Sequence, residues 1–158
     1  MLRPHFTFPA LLLLTLTSAA SAGSLLAPGK VTASDAAGHL RLSNAAVAAD
    51  WAETAHTLRF TDKLHAQTIA FASPFSILLN DGRILNVADV QLEAPRRKDL
   101  AAETTASRYS DRVPGVEFDI PWKTADGTLS GTWSLVLRDG ANYIRELLTL
   151  TAASSDVA

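Results

Sequence analysis

No cysteine occurs anywhere in the 158 residues. That absence excludes disulfide staples, thiolate metal ligands and a thiol nucleophile, and it removes the lipid-attachment cysteine that some exported proteins carry behind their leader. Positive charge is also scarce. Lysine and arginine number 14 against 16 aspartates and glutamates, a net charge of −2, so the concentrated cationic surface that nucleic acid or an anionic membrane requires is missing. The only basic run, Arg96-Arg97-Lys98, follows Pro95 and reads as a solvated loop. No Gly-x-Ser-x-Gly elbow and no phosphate-cradling glycine loop occur. Beyond the first 22 residues there is no long apolar run, and no helical period persists.

What is present begins with the first segment, "MLRPHFTFPALLLLTLTSAASA". Arg3 supplies a basic start, Leu11 to Leu14 an apolar centre, and Ala20-Ser21-Ala22 a small-residue finish. This pattern predicts a signal peptide over 1–22 cut after Ala22. Its apolar centre is well short of the roughly 20 residues that span a bilayer, so a retained anchor is the weaker alternative. The expected product is secreted or periplasmic, with no membrane association after cleavage. Loss of Arg3 leaves 13 basic against 16 acidic side chains. The remaining chain has the length of one domain, large enough to bury a core without staples. A β-sandwich domain is expected over 23–152, and 153–158 reads as a short tail.

Period-two alternation, punctuated by Gly, Asp, Asn and Pro, recurs through that domain. The stretch up to Gly38 reads as irregular. Short strands follow at Leu40–Ser43, at Val47–Trp51 after an Asn44 turn (an Ala-rich segment with a short helix as rival), at 57–61, and around Ile69 and Phe71. Phe75, Ile77 and Leu79 share a face, and "NDGR" at Asn80–Arg83 is a hairpin turn. Residues 95–114 are polar and read as the longest loop, with room for one short strand or a helical turn near Leu100–Glu103. Then the alternation is clearest. Val116, Phe118, Ile120 and Trp122 face one way, Glu117 and Asp119 the other. After "ADG", Leu129, Trp133, Leu135 and Leu137 point inward while Thr132 and Ser134 point outward. After "RDGAN", Ile144, Leu148 and Leu150 alternate with Tyr143, Arg145 and Leu147. The expected fold class is all-β, an antiparallel β-sandwich in which each sheet has one wet face. The last strand is apolar on both sides except for Glu146, so it should be central or covered.

No metal site is expected, because His39, His56 and His65 have no partner at strand spacing. No cofactor and no catalytic residue are assigned. Glu117 and Asp119 project from one face of a strand about 7 Å apart, inside the roughly 6.5–9.5 Å window of inverting glycosidases. That spacing is common to any acidic pair on a strand, and the two read better as the solvated half of an amphipathic one. Among the aromatics, Trp122 and Trp133 sit on apolar faces and read as core. Tyr109 lies beside Arg108 in the polar loop, and Tyr143 shares a side with Arg145 on the last strand. Either tyrosine could stack on a sugar ring, or make a cation–π or hydrogen-bonding site.

The closing segment "LRDGANYIRELLTLTA" resembles one near the end of the N-terminal β-sandwich domain of large secreted bacterial glycoside hydrolases of the α-galactosidase type, whose relatives often carry the label "enterotoxin". Asp139, Gly140, Asn142, Tyr143 and Arg145 match that segment, while Glu146 stands where glutamine is usual. "LSNAAVAADWA" and "FSILLNDGRIL" are similar more loosely to its opening strands and middle hairpin. The resemblance implies a galactose-mutarotase-like supersandwich. In such enzymes that domain precedes a (β/α)₈ barrel holding the catalytic carboxylates, so none of those residues carries over. The expectation is a non-catalytic, carbohydrate-associated accessory module, whether truncated or stand-alone. Its partners would be carbohydrate or a catalytic barrel domain, and its ligand or interface residues Tyr109, Asn142, Tyr143 and Arg145. The alternatives are a protein-interaction module pairing through its C-terminal hairpin and a small glycosidase resting on Glu117 and Asp119.

Overall fold

A computed structural model describes residues 27–153. The expected signal peptide and all of the expected tail but Ala153 lie outside the described residues. The first sheet is an antiparallel meander in chain order: β1 (Thr32–Ala36), β2 (His39–Ser43), β3 (Val47–Ala52), β4 (Thr57–Asp62) and β5 (Gln67–Phe71). Tight turns make that order possible. Gly38 takes φ +74° between β1 and β2, and His56 and Ala66 close the β3–β4 and β4–β5 turns at φ 48° and 53°, a left-handed conformation that non-glycine residues adopt at some cost. A separate hairpin follows, β6 (Ser76–Leu78) and β7 (Ile84–Asn86), closed by the expected turn, where the Gly82 amide donates to the Leu79 carbonyl. A 3-10 turn at Val87–Asp89 leads to β8 (Gln91–Leu92) and β9 (Arg96–Leu100).

The second sheet is built on β10 (Gly115–Lys123), β11 (Leu129–Arg138) and β12 (Arg145–Ala152). β11 pairs with β10 on one side and β12 on the other. The far edge of β10 is shared: β9 runs along Gly115–Asp119 and β8 along Trp122–Lys123. The inner faces of the two sheets meet in one apolar core. Leu40, Leu42, Trp51 and Leu58 come from the first sheet, Phe118, Ile120, Trp122, Trp133, Leu135 and Leu137 from the second. Trp51 meets Trp133 edge to face across the layers, ring centroids 4.9 Å apart, a favoured aromatic geometry. Phe75 packs on Trp122 from the connecting segment. Burial of each such side chain contributes about 1.5–3 kcal/mol, and the protein is an all-β, sandwich-like antiparallel fold.

Several expectations and alternatives need correction. The stretch before Gly38 is not irregular: β1 pairs with β2 over its whole length. The helix alternative at Val47–Trp51 is not adopted. The basic run lies in a strand, not a loop, because β9 finds a free backbone edge on β10; the 3-10 turn of this region falls at Tyr109–Arg112, not near Leu100. The outer face of the second sheet is not uniformly wet. Asp119, Ser134 and Val136 are buried there: Lys98 of β9 pairs with Asp119, and the 101–114 segment folds back onto the end of β11, where Ser110 lies beside Val136. β12, finally, is neither central nor covered. It is an edge strand, with Leu147 and Leu150 at 40% and 53% exposure.

Candidate functional site

The 101–114 segment is clamped to the sheet by two arginines. Arg138, at the end of β11, donates from Nη1 to the carbonyls of Ala101 at 3.0 Å and Val113 at 2.8 Å. Its Nη2 lies 3.5 Å from Asp111 Oδ1. Arg145, at the start of β12, reaches the same oxygen from Nη1 at 3.3 Å. The Glu103 amide donating to the Asp111 carbonyl at 2.9 Å closes the loop on itself. Tyr109 projects from the 3-10 turn so held, 77% exposed.

The β11–β12 turn stands opposite. Gly140 adopts φ +73°, where glycine has no steric cost, and its amide donates to the Gly29 carbonyl at 2.8 Å. The Val31 amide donates to Asp139 Oδ1 at 2.8 Å. Asn44 Nδ2 donates to the Ala141 carbonyl at 2.7 Å, while Asn44 Oδ1 accepts from the amides of Ala46 and Val47. One buried amide thus fixes the β2–β3 turn to the β11–β12 turn. Asn142 and Tyr143 follow directly, Tyr143 at 51% exposure.

Between the two walls lies an open cleft of about 440 Å³. Arg108, Tyr109 and Val113 form one side of its lining, and Gly140, Asn142 and Tyr143 the other. Three of the four sequence-predicted residues are therefore brought together. The fourth, Arg145, is not in the cleft; it lies beside it, turned to Asp111. Two phenol rings, a primary amide and a guanidinium around one concavity can stack on apolar C–H faces and hydrogen-bond hydroxyl groups. The positioning residues Asn44, Asp111 and Arg138 were not singled out from the sequence. Each reads there as an ordinary turn or surface residue, and only the fold shows what it holds.

The acidic pair is placed differently from its sequence reading. Asp119 is not solvated. Ser134 Oγ donates to its Oδ1 at 2.6 Å, and Lys98 of β9 forms an ion pair with its Oδ2. Burial pulls Asp119 upward, but the bonds from Lys98 and Ser134 outweigh it and hold the carboxyl below its usual range. Glu117 is pushed up, first by burial and then by a hydrogen bond shared with Asp119. Two carboxyls in hydrogen-bond contact leave no room for the water that an inverting mechanism places between them. Asp119 belongs to the buried structure of the outer face, and Glu117 is half-buried beside it.

Glu146, out of place among apolar neighbours, accepts from Trp133 Nε1 at 2.7 Å. It supplies the partner that a buried indole N–H needs. His65 pairs with Asp62 at 2.6 Å, and His56 lies parallel to the Trp51 ring. Among the described residues, no group of three metal-ligating side chains comes together, and no helix is long and apolar enough to cross a membrane. Comparisons with protein-family models, curated proteins and solved structures found no match to the chain.

Proposed function

We propose that the chain is an exported, non-catalytic accessory module that binds carbohydrate in the cleft between Tyr109 and Tyr143. The observation that carries this reading is the convergence of two exposed tyrosines with Asn142 on one open concavity. Solvent-facing aromatic rings on turns anchored to a sheet bind sugars well, because the ring loses little conformational freedom and the pyranose presents an apolar face. The resemblance of the final hairpin to the supersandwich domain of secreted glycoside hydrolases points the same way, since Asn142 and Tyr143 lie within the matching segment.

The test is an affinity gel or glycan array with the purified chain. Retardation by an oligosaccharide is expected, and Tyr109→Ala or Tyr143→Ala should each weaken it about tenfold, equivalent to about 1.4 kcal/mol. Arrays uniformly negative at millimolar sugar would overturn the reading, as would binding indifferent to both substitutions.

A second reading is favoured by β12. This edge strand carries Leu147 on the outer face and Leu150 on the inner face, both exposed, and offers an unpaired backbone edge. Edge strands of this kind recruit other polypeptides. The module would then pack through β12 on a separate body, such as a catalytic barrel domain. It predicts concentration-dependent self-association of the isolated chain in sedimentation velocity, relieved by Leu147→Lys. A strict monomer at high concentration would count against it.

A further inference from the structure

Beneath the cleft wall lies a second, much smaller cavity of about 10 Å³, lined by Ser110, Val136, Arg138, Ala141, Tyr143 and Arg145. Three of these residues present a buried polar atom without a hydrogen-bond partner: Ser110 Oγ, Arg138 Nε and Arg145 Nε. Such atoms are rare in folded proteins, and three on one cavity point to a bound species. The volume suits a single body of about water's size.

Charge decides between a water and an ion. The Arg138 and Arg145 side chains are only 12% and 23% exposed, and both lean on one oxygen, Asp111 Oδ1. Arg108 also approaches that carboxylate, 3.9 Å from Oδ2. Glu117 also feels the charge of Arg145. Three guanidiniums, two of them largely buried, thus stand against two carboxylates, and an uncompensated buried charge is costly. Both Nε–H groups are obligate donors, and the serine hydroxyl rotates to donate as well. A water would satisfy hydrogen bonding but leave the charge unbalanced.

We propose that this cavity is a halide site, holding a chloride ion between Arg138 Nε, Arg145 Nε and Ser110 Oγ. The ion accepts three hydrogen bonds and neutralises the excess positive charge. It thereby ties the 109–112 turn to β11 and β12.

The test uses the full chain in thermal melts at fixed ionic strength, with sodium gluconate replaced stepwise by chloride or bromide. A saturable rise in melting temperature with halide is expected, because a ligand of the folded state stabilises it by mass action. Arg145→Lys keeps a cation facing Asp111 but has no Nε, and Ser110→Ala removes the hydroxyl. Each should weaken the apparent halide affinity about tenfold, the loss of one charge-assisted hydrogen bond. Crystals soaked in bromide should show an anomalous peak within hydrogen-bonding distance of both Nε atoms. A melting temperature that responds equally to gluconate and halide would overturn the proposal. So would halide stabilisation unchanged in both variants, or a bromide peak elsewhere, and the cavity would then belong to a water.

Discussion

Replacing Asn44 by alanine tests whether the two sheets are fixed to each other where the structure indicates. The side chain is 5% exposed and makes three hydrogen bonds: to the Ala141 carbonyl at 2.7 Å, and from the amides of Ala46 at 2.9 Å and Val47 at 3.0 Å. Truncation strands the Ala46 amide in a buried position, at about 2 kcal/mol, and removes two partly buried bonds at about 1 kcal/mol each. The expected loss is about 4 kcal/mol, a large share of the 5–15 kcal/mol that holds a domain together. Asn44→Asp separates the contributions. It keeps acceptors for both amides but loses the donor to Ala141, and the Lys63 ammonium, 2.5 Å from the Asn44 carbonyl, tempers the new charge. About half the loss is expected. Urea unfolding followed by the fluorescence of the buried Trp51, Trp122 and Trp133 is the assay. With a slope of about 2 kcal/mol/M the midpoint should fall by about 2 M for alanine. A fall of less than about 0.5 M with an unchanged slope would refute the claim that this amide ties the sheets.

Three further outcomes are expected. Glu146 is an exposed residue of the edge strand, but partial desolvation of its carboxyl beside the core holds it above its usual range, although the Trp133 indole pulls it down. Its contribution to stability is therefore complete below the ordinary glutamate value and is lost as pH rises through the raised one. Glu146→Gln, which still accepts from the indole, should abolish that part of the pH dependence in calorimetry, whereas Glu146→Leu should cost about 1–3 kcal/mol by leaving the indole N–H unpaired. Asp126 accepts from the Thr124 hydroxyl and from the Thr128 amide and hydroxyl, and its pKa falls to about 2. The stability it adds is present above the ordinary aspartate range and disappears as pH falls through about 2, so Asp126→Ala should flatten the acid limb of the stability curve between those limits. Gly131 faces the Trp122 indole and the Thr149 carbonyl so closely that a Cβ would collide with both; Gly131→Ala should cost about 3 kcal/mol in the same urea assay.

The strands of the core were legible because their side chains sort by burial. Val116, Phe118, Ile120 and Trp122 alternate in sequence and line one face in the structure, and the glycine turns between strands fall where their residues demand a left-handed backbone. The two strands that were misread carry no such pattern. β1 reads Thr-Ala-Ser-Asp-Ala and β9 reads Arg-Arg-Lys-Asp-Leu. Neither buries much side chain. Both are strands because a neighbour offers a backbone ladder, and that is a property of β2 and β10 rather than of their own residues. β9 has one further reason to lie where it does: its Lys98 meets the Asp119 carboxylate.

The site was legible by residue type and not by arrangement. Tyr109 and Tyr143 stand more than thirty residues apart in the chain, and their approach depends on Arg138 and Arg145 gripping Asp111. That grip lays the 101–114 segment against the end of β11, where Val136 is buried beside Ser110. A binding reading of the tyrosines needs the segment closed in this way, since otherwise Tyr109 has no fixed position opposite Tyr143. A hydrolytic reading of Glu117 and Asp119 needs a water between the carboxyls, whereas Asp119 is already held by Lys98 of β9 and by Ser134. The anchoring of the loop thus serves the cleft, and the contacts of Asp119 serve the sheet.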